Sequence, residues 1–163
     1  MSIGGRAEIE TLQCHASTLA DLRIDGLVLG FIKNGTIDLT AINEILAAAP
    51  NCHATFHRAF DHLPDPVRAL HELKQLPQID RVLTDGGKGS SVERKTRLLE
   101  WQHAAAPQIK LIFAAGLCAS SLAEASQELS DVEIHVGRAA RVPQVSSGNV
   151  CRTQVASLKR LLG

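Results

Sequence analysis

The sequence predicts an α/β fold, an incomplete parallel βα-barrel of the TIM-barrel type with about five of eight strands, and three observations carry that prediction. Short runs rich in branched apolar residues alternate with longer stretches whose apolar residues recur three or four apart, the pattern of successive strand and helix units. Short connections between such units require a parallel sheet with right-handed crossovers, which leaves an open doubly wound sheet or a barrel. Polar residues stand at the C-terminal ends of several strand patterns, namely His57, Thr84, Asp85, His135 and, just beyond, Arg138, and barrels draw their sites from many strand ends in this way.

A helix is expected over Ala7 to Leu22, with Ile9, Leu12, Ala16 and Leu19 on one face. A strand follows at Gly26 to Phe31, then a loop holding Asn34-Gly35 and a helix near Thr40 to Ala49, capped by Asp38 or Thr40, with Ile42, Ile45 and Leu46 as its buried stripe. His53 to His57 reads as the second strand. Asp65 caps the next helix with Pro66 in its first position, and that helix runs to about Leu73. Arg81 to Thr84 is the third strand, followed by Asp85-Gly86-Gly87-Lys88-Gly89, a capping box of Ser90 with Glu93, and a helix to about His103. Lys110 to Ala114 and Val132 to Val136 are the last two strands. Between them, Gly116 turns into a helix that Ser121 and Glu124 cap. Pro143 to Asn149 is a polar loop, and Val150, Val155, Leu158 and Leu162 give the final helix its apolar face.

A complete barrel takes roughly 250 residues. This chain has 163 and begins its pattern with a helix, so Met1 to Gly163 reads as a single partial barrel domain, cut rather than small.

Seventeen basic residues balance seventeen acidic ones, so no overall field draws the chain to nucleic acid or to an anionic membrane, and a ligand must be recognised locally. The opening MSIGGRAEIE lacks an export pattern, and no run approaches the length of a membrane span. The four cysteines, Cys14, Cys52, Cys118 and Cys151, are dispersed without a CxxC pair, as expected for reduced thiols in the cytoplasm. Cys14 and Cys151 fall in helical stretches and read as packing residues.

The run Ala54-Thr55-Phe56-His57-Arg58-Ala59-Phe60-Asp61 closely resembles the TFHRAFD pattern of the CutC family. Gly26 to Gly30 with Asn34 to Asp38 is similar to the strand and loop before that pattern, Arg81 to Thr84 to the strand after it, and Val132 to His135 to the family's closing strand. The resemblance implies a cytoplasmic copper homeostasis protein that binds copper, on a barrel whose first three strands have no counterpart here. It also places the family's copper-associated cysteine in the portion without a counterpart, so it assigns none of the four cysteines that role.

Alternation along the strand puts His53, Thr55 and His57 on one face, with His57 at the mouth, and by the same parity Glu133 and His135 share a face as an acid/base or ligand pair. Arg58 is placed to clamp a carboxylate or phosphate, or else to pair with Asp61 and fix the loop. Gly86 and Gly87 beside Lys88 offer backbone amides to an anion, and Gly137 with Arg138 offers a second such place after the last strand. For Cu(I), which prefers thiolate and then imidazole, Cys118 is the best-placed thiol, with His57 and His135 as companions.

Three functions are therefore expected as alternatives: copper handling, an enzyme of unknown reaction using His57, Arg58, Glu133 and His135 on a small anionic metabolite, or a truncated barrel without function. Exposed strand edges predict a homo-oligomer.

Overall fold

The computed structural model describes residues 5–114 and 133–161. They belong to two compact units, Met1–Leu111 and Ile112–Gly163.

The first unit runs α1 (Arg6–Asp21), β1 (Gly26–Leu29), β2 (Ile32–Lys33), β3 (Thr36–Ile37), α2 (Leu39–Ala47), β4 (His53–Phe56), a 3-10 turn Arg58–His62, α3 (Pro66–Leu73), β5 (Ile79–Thr84) and α4 (Ser91–Ala105). β6 (Lys110–Phe113) begins in this unit and ends in the second, which continues with β7 (Glu133–Ile134), a 3-10 turn Arg138–Ala140, β8 (Arg141–Val142), β9 (Asn149–Val150) and α5 (Arg152–Leu161). β4 pairs in parallel with β1 on one side and β5 on the other, with Val28 opposite Thr55 and Thr55 opposite Arg81. β6 pairs in parallel with β7, Ile112 opposite Glu133. Each of these three pairings is parallel, as the alternating sequence pattern requires.

Strand parity decides which side is core. Ala54 and Phe56 are buried on one face of β4, as is Val82 on β5, and the core of this unit also takes Ile42 and Leu46 from α2, Leu70 and Leu73 from α3, and Leu98 and Trp101 from α4. Full burial of a side chain such as Phe56 or Leu70 stabilises by about 1.5–3 kcal/mol. Phe60, from the turn after β4, meets Trp101 edge to face at 5.2 Å. The opposite face carries Val28, 68 % exposed, and an exposed His53.

Local chemistry closes the helices where it was expected. The Asp38 carboxylate accepts from the amide of Ala41 at 3.1 Å, and Asp65 accepts from Arg68 at 3.0 Å with Pro66 in the first turn. Ser90 and Glu93 form the reciprocal capping box, in which the Ser90 amide donates to Glu93 at 2.7 Å and the Glu93 amide to Ser90 at 3.3 Å.

Other features differ from expectation. The stripe expected on α1 is only partly covered: Ala16 is buried, Ile9 and Leu12 are half-buried and Leu19 is exposed, while Arg6 reaches Glu44 on α2 at 2.6 Å and Gln13 donates to the Glu44 carbonyl at 3.0 Å. Cys14 is exposed on α1 and is not a packing residue. Asn34-Gly35 makes a true hairpin of β2 and β3, with both residues at positive φ (53° and 77°). Val150 belongs to the β8/β9 hairpin, and α5 starts only at Arg152. The helix expected between Gly116 and Val132 lies outside the described residues.

Candidate functional site

The C-terminal ends of β4 and β5 assemble one polar cluster. The chain leaves β4 at His57, whose amide donates to the Leu29 carbonyl at 2.8 Å, and turns at once into the 3-10 segment. That turn brings Asp61 back under the end of β5. The Asp61 side chain, only 5 % exposed, accepts from the Thr84 hydroxyl, from the Arg58 Nε at 2.8 Å and from the Asp85 amide at 3.3 Å. Arg58 uses a second guanidinium nitrogen, Nη2, on the Asp85 carboxylate. Thr84, itself fully buried, accepts in turn from the Gly86 amide at 3.0 Å, while Asp85 accepts from the Gly87 amide at 2.9 Å.

One guanidinium therefore faces two carboxylates. Burial raises the Asp61 pKa above the ordinary carboxylate value, and the charge of Asp85 adds to the rise, against the bonds from Thr84 and Arg58. Arg58 is held charged above its ordinary range, first by its hydrogen bond to Asp61. Arg58 makes the pairing with Asp61 that one sequence reading gave it, and through Asp85 it also fastens the turn to the β5 end. Gly86 and Gly87 have positive φ, 81° and 76°, and a side chain at Gly86 would come within 3.1 Å of the Arg94 Cβ. Their amides serve Thr84 and Asp85, and Arg97 donates to the carbonyls of Gly86 (2.8 Å) and Lys88, so the glycine loop is fastened from both sides. The Lys88 side chain is exposed.

His57 is half-buried, and its Nδ1 accepts from the Ala59 amide at 3.1 Å. Burial lowers its pKa below the ordinary histidine value. The ring packs closely against Gly30 at the end of β1: a Cβ added there would sit 2.6 Å from Nδ1 and 2.8 Å from Cε1. Gly30 and the Ala59 amide are the parts that sequence reading passes over. A glycine closing an otherwise apolar strand signals close approach of another group, but not of which one.

In the second unit, Glu133 is half-buried on β7 and His135 is exposed just beyond, its amide donating to the Phe113 carbonyl at 2.9 Å. Gly137 precedes the 3-10 turn that an exposed Arg138 opens. Cys118 lies outside the described residues. Cys151 occupies the position before α5, where the amides of Gln154 and Thr153 donate to its sulfur and lower its pKa. Among the described residues, no three His, Cys, Asp or Glu side chains are grouped so as to hold a metal ion. Among them too, no helix is long and apolar enough to cross a membrane.

Comparison with known proteins gives this cluster a setting. A Mesorhizobium japonicum protein described as a family protein CutC is 31 % identical over 83 % of this chain and 53 % of its own length. A protein of the same description from Pasteurella multocida is 35 % identical over 71 % of this chain and 47 % of its own. One from Xanthomonas axonopodis pv. citri is 30 % identical over 96 % of this chain and 69 % of its own. The chain thus spans about half the length of the first two of these relatives. A crystal structure of a Streptococcus agalactiae protein described as a copper homeostasis protein CutC superposes with a TM-score of 0.74 at 24 % identity, over 82 % of this chain and 65 % of that one, which supports the barrel-type fold. The model of the CutC family matches residues 5–140, which include every residue of the β4/β5 cluster, and the chain belongs to the CutC family.

Proposed function

We propose that this chain acts in copper homeostasis in the cytoplasm and that its molecular task is to bind Cu(I). The observation that carries the proposal is the family match over residues 5–140, together with the TFHRAFD run that ends β4. A soft ion of single charge favours thiolate and then imidazole, so the donors proposed are Cys118 and His135; His57, the third side chain that the sequence named, is left out because its Nδ1 accepts from the Ala59 amide. The fit of the described part is limited. Its strand-end carboxylates are already engaged by Arg58, Thr84 and backbone amides, and it holds no group of three metal-capable side chains. Cys118 therefore has to supply the decisive bond. Native mass spectrometry of the reduced chain during Cu(I) titration tests this directly. One copper per chain, lost on Cys118→Ser, is expected, and undiminished uptake by Cys118→Ser would rule out this ligand set.

A second reading is favoured by the cluster itself: a small-molecule site, and with it an enzyme acting on a small carboxylate or phosphate, at the mouth of β4 and β5. A buried carboxyl with a raised pKa and a histidine with a lowered one, both in the segment that leaves β4, are groups of the kind acid/base chemistry uses. Blocking the thiols separates the two readings, because copper uptake should fail and binding at the mouth should not.

A further inference from the structure

We infer that His57 presents a fixed Nε2–H to the strand-end mouth, as a donor to a carbonyl or carboxylate oxygen of a small ligand, and not as a ligand to copper. The inference deepens the second reading above and rests on it for the identity of the ligand.

The proton is located by exclusion. A backbone amide can only donate, and the Ala59 amide points at Nδ1 from 3.1 Å. Nδ1 must therefore hold a lone pair, and the neutral ring carries its single proton on Nε2. The ring cannot escape this contact cheaply. Gly30 leaves a gap that the imidazole fills, and the His57 amide is pinned to Leu29 on the neighbouring strand at 2.8 Å. Among the described residues Nε2 has no partner.

Metal-bound histidines show the opposite arrangement. The nitrogen remote from the ion donates its N–H to an acceptor, and so keeps a lone pair on the ligating nitrogen. For His57 to ligate through Nε2, its proton would have to move to Nδ1, where it would meet the Ala59 N–H head on. A neutral imidazole that donates through Nε2 suits another task, polarising or orienting an oxygen acceptor. The nearby charge narrows the acceptor. Arg58 is already matched by Asp61 and Asp85, so a neutral carbonyl or a singly charged carboxylate is tolerated better than a phosphate dianion.

The test is a long-range ¹⁵N–¹H correlation on the uniformly labelled chain at pH 8, where histidines are neutral, repeated during titration with Zn²⁺ as a diamagnetic imidazole-seeking probe. His57 is expected to show the Nε2–H pattern alone, and to keep it in the presence of one equivalent of Zn²⁺. Ala59→Pro deletes the donor, at the cost of a fixed φ and a restricted Arg58, and should give His57 a mixture of tautomers and let Zn²⁺ shift its Nε2. If that variant does not fold, Gly30→Ala, which evicts the ring, serves the same purpose. An Nδ1–H pattern in the native chain, or Zn²⁺ bound at Nε2 at one equivalent, would overturn the inference. Formate, titrated in parallel, should shift the Nε2–H resonance. A fixed Nε2–H that ignores formate would leave the tautomer standing and sink the small-carboxylate reading on which the ligand rests.

Discussion

Thr84 shows how much a single hydroxyl carries at the end of β5. It is fully buried, donates to Asp61 and accepts from the Gly86 amide, so it joins the turn after β4 to the glycine loop after β5. Thr84→Val keeps the shape and leaves a buried carboxylate oxygen and a buried amide without that partner. The expected loss is about 1–3 kcal/mol, read from urea denaturation. His57 offers a pH-resolved counterpart. Its folded pKa lies below the ordinary 6.5, so its neutral form contributes stability that is complete above pH 6.5 and is lost as pH falls through the folded value. His57→Gln cannot titrate, and the denaturation midpoints of native and variant chains should converge as pH drops from 7.5 to 5. A gap that widens instead would mean that the ring is charged in the folded chain. The pairing of Arg58 with Asp85 was not legible in the sequence, because the partners are separated by 27 positions and meet only through the register of β4 on β5. Arg58 with Asp61 was legible, since three positions place them on one turn.

Elements were legible to the extent that local chemistry fixes them. Asp38, Asp65 and the Ser90/Glu93 pair cap the helices they were expected to cap, because each cap involves only residues within three positions. The central strands were legible from branched apolar runs, and Asn34-Gly35 from its turn chemistry, but the two-residue strands on either side of that turn are too short to leave a periodic trace. The same limit hid the β8/β9 hairpin and placed Val150 in the final helix. The capping box of α4 is a sharp test of this local logic. Ser90→Ala removes the hydroxyl half of a reciprocal pair, leaving the Ser90 backbone amide to Glu93, at the start of a 15-residue helix whose far end holds Trp101 against Phe60. A destabilisation of about 1 kcal/mol is expected. Because the helix start also anchors Arg97 to the carbonyls of Gly86 and Lys88, faster amide exchange should extend into that loop. Exchange confined to the first turn of α4 would show that the loop is held independently.

At the scale of the molecule the open face of the first unit is the feature with consequences. Among the described residues β1 pairs on one side only, with β4, so its other edge keeps unpaired backbone groups. Over the face that β1, β4 and β5 share lies an open concavity of about 450 Å³ lined by Gly26, Val28, His53, Thr55, Asp80 and Arg81. Its chemistry is mixed: an apolar Val28 at 68 % exposure next to Asp80, which accepts from Arg81 at 2.7 Å and pairs with His53 at 3.1 Å. An edge and face of this kind attract another strand, and a second copy of the chain always supplies one. Self-association is therefore expected, measured by light scattering at micromolar concentration. The surface involved is checked by Val28→Lys, which puts a charge on the edge strand without touching the core or the β4/β5 cluster. The variant should shift the population toward monomer while leaving the His57 resonances unchanged. A native chain that stays monomeric at that concentration would show that solvent alone satisfies the edge, and an oligomer indifferent to Val28→Lys would place the contact on another surface.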